Sequence, residues 1–153
     1  MKAGYALFLS AVAVLFTLTL TAPYFEKVGD EGSARFNYEV FSGFCHQRPE
    51  RSFHLFGYKM AVCARCFGVY FGLLAGCLLY PAVWAKRGGI PPGWLLAASL
   101  LPLALDGRVE FLGLWAGSNL LRFMTGLLFG GFVPFYLIPA LDKAAGVFIR
   151  RLR

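Results

Sequence analysis

Charge falls along this chain in blocks, and the gaps between the blocks set the architecture. Residues 3–25, 67–85, 88–105 and 123–141 contain no Lys, Arg, Asp or Glu. Each gap approaches the ~20 apolar residues a helix needs to cross ~30 Å of hydrocarbon. The pattern predicts an all-α membrane protein with four transmembrane helices, at about 3–25, 64–85, 92–110 and 119–141. A Cys/His-containing loop at 26–63 joins the first span to the second, and one membrane-embedded domain covers 1–153. The first gap reads as a retained span and not a cleaved signal peptide. Its apolar stretch is long, and Leu20 interrupts the small-x-small pattern before Pro23.

Finer patterning adds detail. Glu26 to Ala34 is polar and reads as irregular chain. Phe36, Tyr38, Phe41 and Phe44 suit a short helix at the lipid–water boundary. At Arg48-Pro49 the backbone is expected to be extended or turned, because the residue before proline avoids the helical region. Gly68, Gly72 and Gly76 recur every four residues on the second span, as Gly126 and Gly130 do on the fourth. Small-residue faces let helices approach closely in lipid, so these two spans are expected to pack together. Pro91-Pro92-Gly93 opens a short third span, with Asp106 only about fourteen residues further on. At 1.5 Å per residue that covers ~21 Å, which places Asp106 below the membrane surface. Phe111 to Trp115 either continues this helix or forms a re-entrant piece.

Composition agrees with this class: the chain is 58% hydrophobic and only 15% charged, against roughly a quarter charged for soluble domains. The net charge of +7 is a topology signal. Lys2, Lys86, Arg87, Lys143, Arg150, Arg151 and Arg153 share one side if there are four spans. In the 26–63 loop, acidic residues balance the basic ones. Both termini are therefore expected in the cytoplasm, with the protein in the cytoplasmic membrane and the Cys/His loop outside. No basic run with interleaved aromatics marks a nucleic-acid surface.

Cys45-His46 and Cys63-x-x-Cys66 carry the chemistry. Zinc takes four ligands, typically thiolate and imidazole, and a C-x-x-C pair is a common half-site. Cys63 and Cys66 supply that half, Cys45 the third ligand and His46 the fourth, giving a Cys3His centre for Zn2+. His54, between Phe53 and Leu55, reads as a packing histidine. A redox-active pair without metal is the alternative: Cys63-Ala64-Arg65-Cys66 puts a thiol at a helix start beside a guanidinium, which lowers its pKa. A structural disulfide is compatible with an oxidising compartment. Cys77 sits mid-span and reads as apolar filler.

Ionisable groups gather at the same end. Asp106, Arg108, Glu110, Asn119 and Arg122 are expected to face the cysteine loop, with Asp106 and Arg122 as mutual partners. Ionisable residues near lipid usually face a partner or a cavity. Asp106 and Arg122 are the candidate catalytic residues; Arg51, Arg65, Asn119 and Arg122 are the candidate substrate-binding residues. Guanidinium forks suit phosphate and carboxylate, so an anionic lipid headgroup or a small anion is the expected ligand class. A structural ion pair locking the third and fourth spans is the simpler reading of Asp106 and Arg122.

The stretches Cys45-His46-Gln47-Arg48-Pro49-Glu50-Arg51-Ser52 and Cys63-Ala64-Arg65-Cys66-Phe67-Gly68-Val69-Tyr70-Phe71-Gly72 carry a family resemblance. They resemble a family of small bacterial and archaeal membrane proteins classed as a domain of unknown function, with a C-H-Q-x-P-x-R-S…C-x-R-C-x-G-x-Y-x-G signature. Asp106-Gly107 and Ser118 to Arg122 are similar to its later half. The resemblance implies that Cys45, His46, Cys63, Cys66, Asp106, Asn119 and Arg122 form one functional set, and it leaves His54 outside. It brings no reaction with it. The expected role is therefore a zinc-type centre at the outer membrane surface, acting on or binding a small anionic or lipid-linked substrate. Two alternatives stand beside it: a membrane thiol-disulfide oxidoreductase using Cys63, Cys66 and Cys45, and a small metal-ion or solute carrier. The glycine faces also permit a homo-oligomer.

Overall fold

The structure, a computed structural model, describes residues 3–84, 89–114 and 117–151. Lys2, Lys86, Arg87, Trp115 and Arg153 lie outside the described residues. Helix α1 runs Ala3–Val28, α2 Glu31–Ser42, α3 Ala64–Val83, α4 Gly93–Phe111, α5 Asn119–Phe132 and α6 Pro134–Arg151. Val133 keeps helical angles (φ −52°, ψ −44°) where Pro134 removes a donor, so α5 and α6 run on as one apolar segment.

Among the described residues, three segments are long and apolar enough to cross a membrane: Gly4–Val28, Ala64–Val83 and Asn119–Ala144. They correspond to the first, second and fourth expected spans. Helix α4 is not among them, because Asp106, Arg108 and Glu110 fall within its last six residues. Large apolar side chains such as Leu7, Leu79, Leu101 and Leu128 point outward, as lipid-facing residues do.

The polar stretch expected to be irregular is mostly helical. Helix α1 continues through Pro23 to Val28, and α2 starts at Glu31 after a left-handed Gly29 (φ 80°). Asp30 caps α2 by accepting from the Ser33 backbone N–H at 3.1 Å, which satisfies one of the donors a helix start leaves open. The expected boundary helix is α2 itself. It buries Ala34, Asn37 and Phe41 and leaves Phe36 exposed. Beyond it, Arg48 is extended (ψ 127°) and Pro49–Arg51 forms a single tight turn. A two-residue hairpin, β1 (His54–Leu55) and β2 (Tyr58–Lys59), then returns the chain to α3, an element the sequence pattern did not announce.

Helices α3 and α5 form the centre of the bundle, as the glycine spacing predicts. A Cβ placed on Gly68, Gly126 or Gly130 would strike the carbonyl of Phe123, Arg65 or Val69 respectively. On Gly72 it would lie 2.5 Å from the Leu127 carbonyl oxygen. Backbone meets backbone along this seam. Helix α4 lies along the same length. The Tyr136 hydroxyl donates to the Pro92 carbonyl at one end (2.8 Å), and Arg65 and Arg122 pair with the acids of α4 at the other. Tyr5 stacks on Tyr80 (6.2 Å between centroids), bringing the start of α1 to the end of α3 remote from Cys63.

Candidate metal centre and its guanidinium neighbours

Cys45, Cys63 and Cys66 meet. Their sulfurs all lie within 4.8 Å of one another, with Cys63 Sγ 3.5 Å from Cys66 Sγ, and all three thiols are free. The local chain explains the meeting. Cys63 is the residue before the first turn of α3, so Cys63 and Cys66 lie one helical turn apart at its N-terminus. Cys45 arrives from the end of α2, where its N–H donates to the Phe41 carbonyl at 2.9 Å. Its sulfur accepts the Cys63 backbone N–H at 3.1 Å and is buried, packing with Ala22, Phe41, Ala61 and Val62.

The turn after Cys45 is held by polar contacts. Gln47 adopts left-handed backbone (φ 49°), which costs on the order of 1 kcal/mol for a residue with a side chain. Its side-chain amide donates to the Tyr38 carbonyl at 2.7 Å, and Lys59 donates to the Gln47 carbonyl at 3.1 Å. The Tyr38 hydroxyl in turn donates to the Lys59 carbonyl at 2.7 Å. Burial first, and then Glu26, push that phenol above its ordinary pKa, so it stays a donor.

Three thiols so close share one charge readily. Hydrogen bonds from Cys63 and then Cys66 hold the Cys45 thiol far below the ordinary range, and the Cys63 thiol is raised because it donates to Cys45. These contacts and the Cys63 backbone N–H favour the thiolate form at Cys45. A soft, thiolate-rich donor set on a pre-shaped turn matches what zinc selects. His46 is exposed and is not part of the group, and His54 is likewise exposed on the hairpin. Cys77 is buried in α3, away from the three.

Arg65, between the two cysteines of α3, links this centre to a second cluster. It pairs with Asp106 through Nη2 and, at 3.0 Å, through Nε, and it reaches Glu110 at 2.9 Å. Glu110 also receives Arg122 (2.7 Å) and Arg51 (2.9 Å). The expected Asp106–Arg122 pair is therefore corrected: Asp106 partners Arg65, and Arg122 partners Glu110 and donates to the Asn119 side-chain Oδ1 (2.7 Å). Asp106 and Glu110 lie four apart on one face of α4, and it is Glu110 that Arg122 reaches. Glu110 is the residue that sequence reasoning left out of the site. Its i, i+4 spacing from Asp106 was the available signal.

The 49–53 segment is fastened over these helix ends. Arg51 pairs with Glu110, the Asn119 amide donates to the Ser52 carbonyl at 3.3 Å, and Phe53 packs edge-on to Phe67 and Phe123. Arg51, Arg65, Asn119 and Arg122 are thus brought together. Exposure separates them: the Arg51 side chain is 36% exposed and the Arg122 side chain 7%. Arg108 is exposed.

Residues 45–136, which hold both clusters, match the family described as "Predicted membrane protein (DUF2085)". The chain belongs to the DUF2085 family. It is similar to an uncharacterised protein of Methanocaldococcus jannaschii, 41% identical over 145 residues and covering 91% of this chain and 93% of that one. It is also similar to an uncharacterised protein of Methanothermobacter thermautotrophicus, 33% identical over 87 residues, 57% of this chain and 78% of the other. No solved structure matches. The DUF2085 match begins at Cys45 and so takes in the whole thiol group and every guanidinium–carboxylate contact described above.

Proposed function

We propose that this DUF2085 protein holds a zinc-type ion on Cys45, Cys63 and Cys66 at the outer face of the cytoplasmic membrane. The neighbouring guanidinium cluster binds the anionic part of a small or lipid-linked substrate. The supporting observation is the convergence of three free sulfurs within 4.8 Å at a helix start. Three protein ligands leave a fourth position for water or substrate, as catalytic zinc sites do. His46, exposed beside Cys45, lies at the rim of this proposed centre and outside its ligand set. The bound ion supplies Lewis acidity. The chain's own residues orient the substrate: Arg51 and Arg65 meet its anionic group, Asn119 and Arg122 hold the cluster in register, and Asp106 accepts a proton.

The reading includes a fourth crossing, by α4. Helix α4 has 19 residues, ~28 Å at 1.5 Å per residue, and it is tied at both ends to segments that cross. Its charged end pairs with Arg65 and Arg122, which lowers the cost of placing acids near lipid.

Elemental analysis of the purified protein with thiol counting tests the proposal. About one zinc per chain is expected, lost in Cys45→Ser and in Cys63→Ser and kept in His46→Ala. Zinc lost in His46→Ala would restore a Cys3His centre. The 3.5 Å contact between Cys63 and Cys66 favours one other reading, a thiol oxidoreductase. There the pair closes to a disulfide, and two electrons and two protons pass to a membrane quinone. Metal-free protein lacking two thiols would decide for it.

A further inference from the structure

Between α4 and α5 lies a slot of about 260 Å³, lined by Pro102, Leu105, Val109, Leu121 and Thr125 together with Gly117 and Asp106. Its walls are apolar. Leu105 (54% exposed) and Leu121 (42%) border it on the surface that faces hydrocarbon in a membrane. The Thr125 hydroxyl already donates to the Arg122 carbonyl at 3.0 Å, and among the described residues Asp106 is the one ionisable group in the lining.

The two oxygens of Asp106 differ. Both bonds from Arg65 go to Oδ2. Oδ1 faces Gly117, where an added Cβ would stand 3.3 Å away. The missing side chain of Gly117 keeps the carboxylate oxygen uncovered. The Asp106 side chain is only 8% exposed, so this acceptor is held in the wall of an apolar channel.

We infer that this slot binds a long-chain membrane alcohol, its hydroxyl donating to Asp106 Oδ1 and its hydrocarbon chain lying between α4 and α5. The charge balance selects a neutral head. Arg51, Arg65 and Arg122 outnumber Asp106 and Glu110 by one, so an ammonium meets net repulsion. A phosphate or carboxylate meets the lone pairs of Oδ1 directly. A hydroxyl presents a donor, carries no charge, and meets an oxygen that takes neither of the Arg65 bonds. The inference goes beyond the thiol centre and does not depend on a metal.

The test uses the full protein in phosphatidylcholine nanodiscs and a photoreactive diazirine analogue of hexadecanol, with labelled peptides mapped by mass spectrometry. Labelling is expected to concentrate on α4 and α5. It should compete with hexadecanol but not with equal palmitate or hexadecylamine, and fall about tenfold in Leu121→Trp, which fills the slot. Gly117→Val, on the connecting segment, covers Oδ1 from the other side and should cause the same fall, so the test stands if the tryptophan variant misfolds. Labelling spread evenly over all lipid-facing helices overturns the inference. So does labelling indifferent to both substitutions, or equal competition by the acid or the amine. Cys63→Ser should label normally, so loss of the zinc reading leaves this result intact, and failure here leaves the zinc reading intact.

Discussion

Glu110 is one carboxylate serving three guanidiniums that come from different parts of the chain: Arg51 from the loop, Arg65 from α3 and Arg122 from α5. Its side chain is 6% exposed. Removing its charge takes the carboxylate partner from Arg51 and Arg122 and one of two from Arg65, so Glu110→Gln should cost on the order of 3 kcal/mol in unfolding experiments in detergent. Arg122→Gln should approach that figure, whereas Arg51→Gln, removing a half-open partner, should cost about 1 kcal/mol or less. Equal effects for Arg51 and Arg122 would mean that burial does not rank these pairs. Sequence reasoning found the ionisable group but mispaired it, since Asp106 and Glu110 present the same chemistry one turn apart. Which of them meets Arg122 is fixed by the axial register of α4 against α5, and no local pattern encodes that. The cysteines were easier to read, because C-x-x-C places two sulfurs one turn apart whatever surrounds them. The exposure of His46 was not legible: it follows from the left-handed turn at Gln47.

At the scale of elements, the glycine repeats predicted the α3–α5 seam, and the structure shows which glycines the contact needs. Gly72→Ala places a methyl 2.5 Å from the Leu127 carbonyl oxygen, against backbone that cannot rotate away. Gly131→Ala places one 4.0 Å from the Gly72 carbonyl oxygen, an ordinary contact. Thermal unfolding should therefore separate the two, with a loss of about 1–3 kcal/mol for Gly72→Ala and little change for Gly131→Ala. Similar losses for both would mean that close approach does not govern this seam. Helix α2 was legible through its aromatic residues, but its start was not. Polar composition argued for irregular chain from Glu26 to Ala34, whereas continuation of α1 to Val28 and the Asp30 cap make most of it helical.

For the molecule as a whole, the two clusters share one end of the bundle, and the start of α1 lies toward the other. If α4 crosses the membrane, both termini face one side and the thiol group the other. Epitope tags at either terminus should then be detected only after permeabilisation, while a tag inserted after Gly29 is detected on intact cells or spheroplasts. Termini on opposite sides would leave three crossings and place α4 on the surface. The uncharged gaps made the three long apolar segments legible; α4 falls short of them because of the acids and the arginine near its end. The seam between α3 and α5 has one more consequence. With peptide planes in direct touch, nothing there can swivel, so Cys63 and Cys66 sit on a fixed jaw. Cys45 rides on the opposing one, a short helix and hairpin braced by Gln47, Tyr38 and Lys59. Grip on any guest atom is adjusted from that side alone.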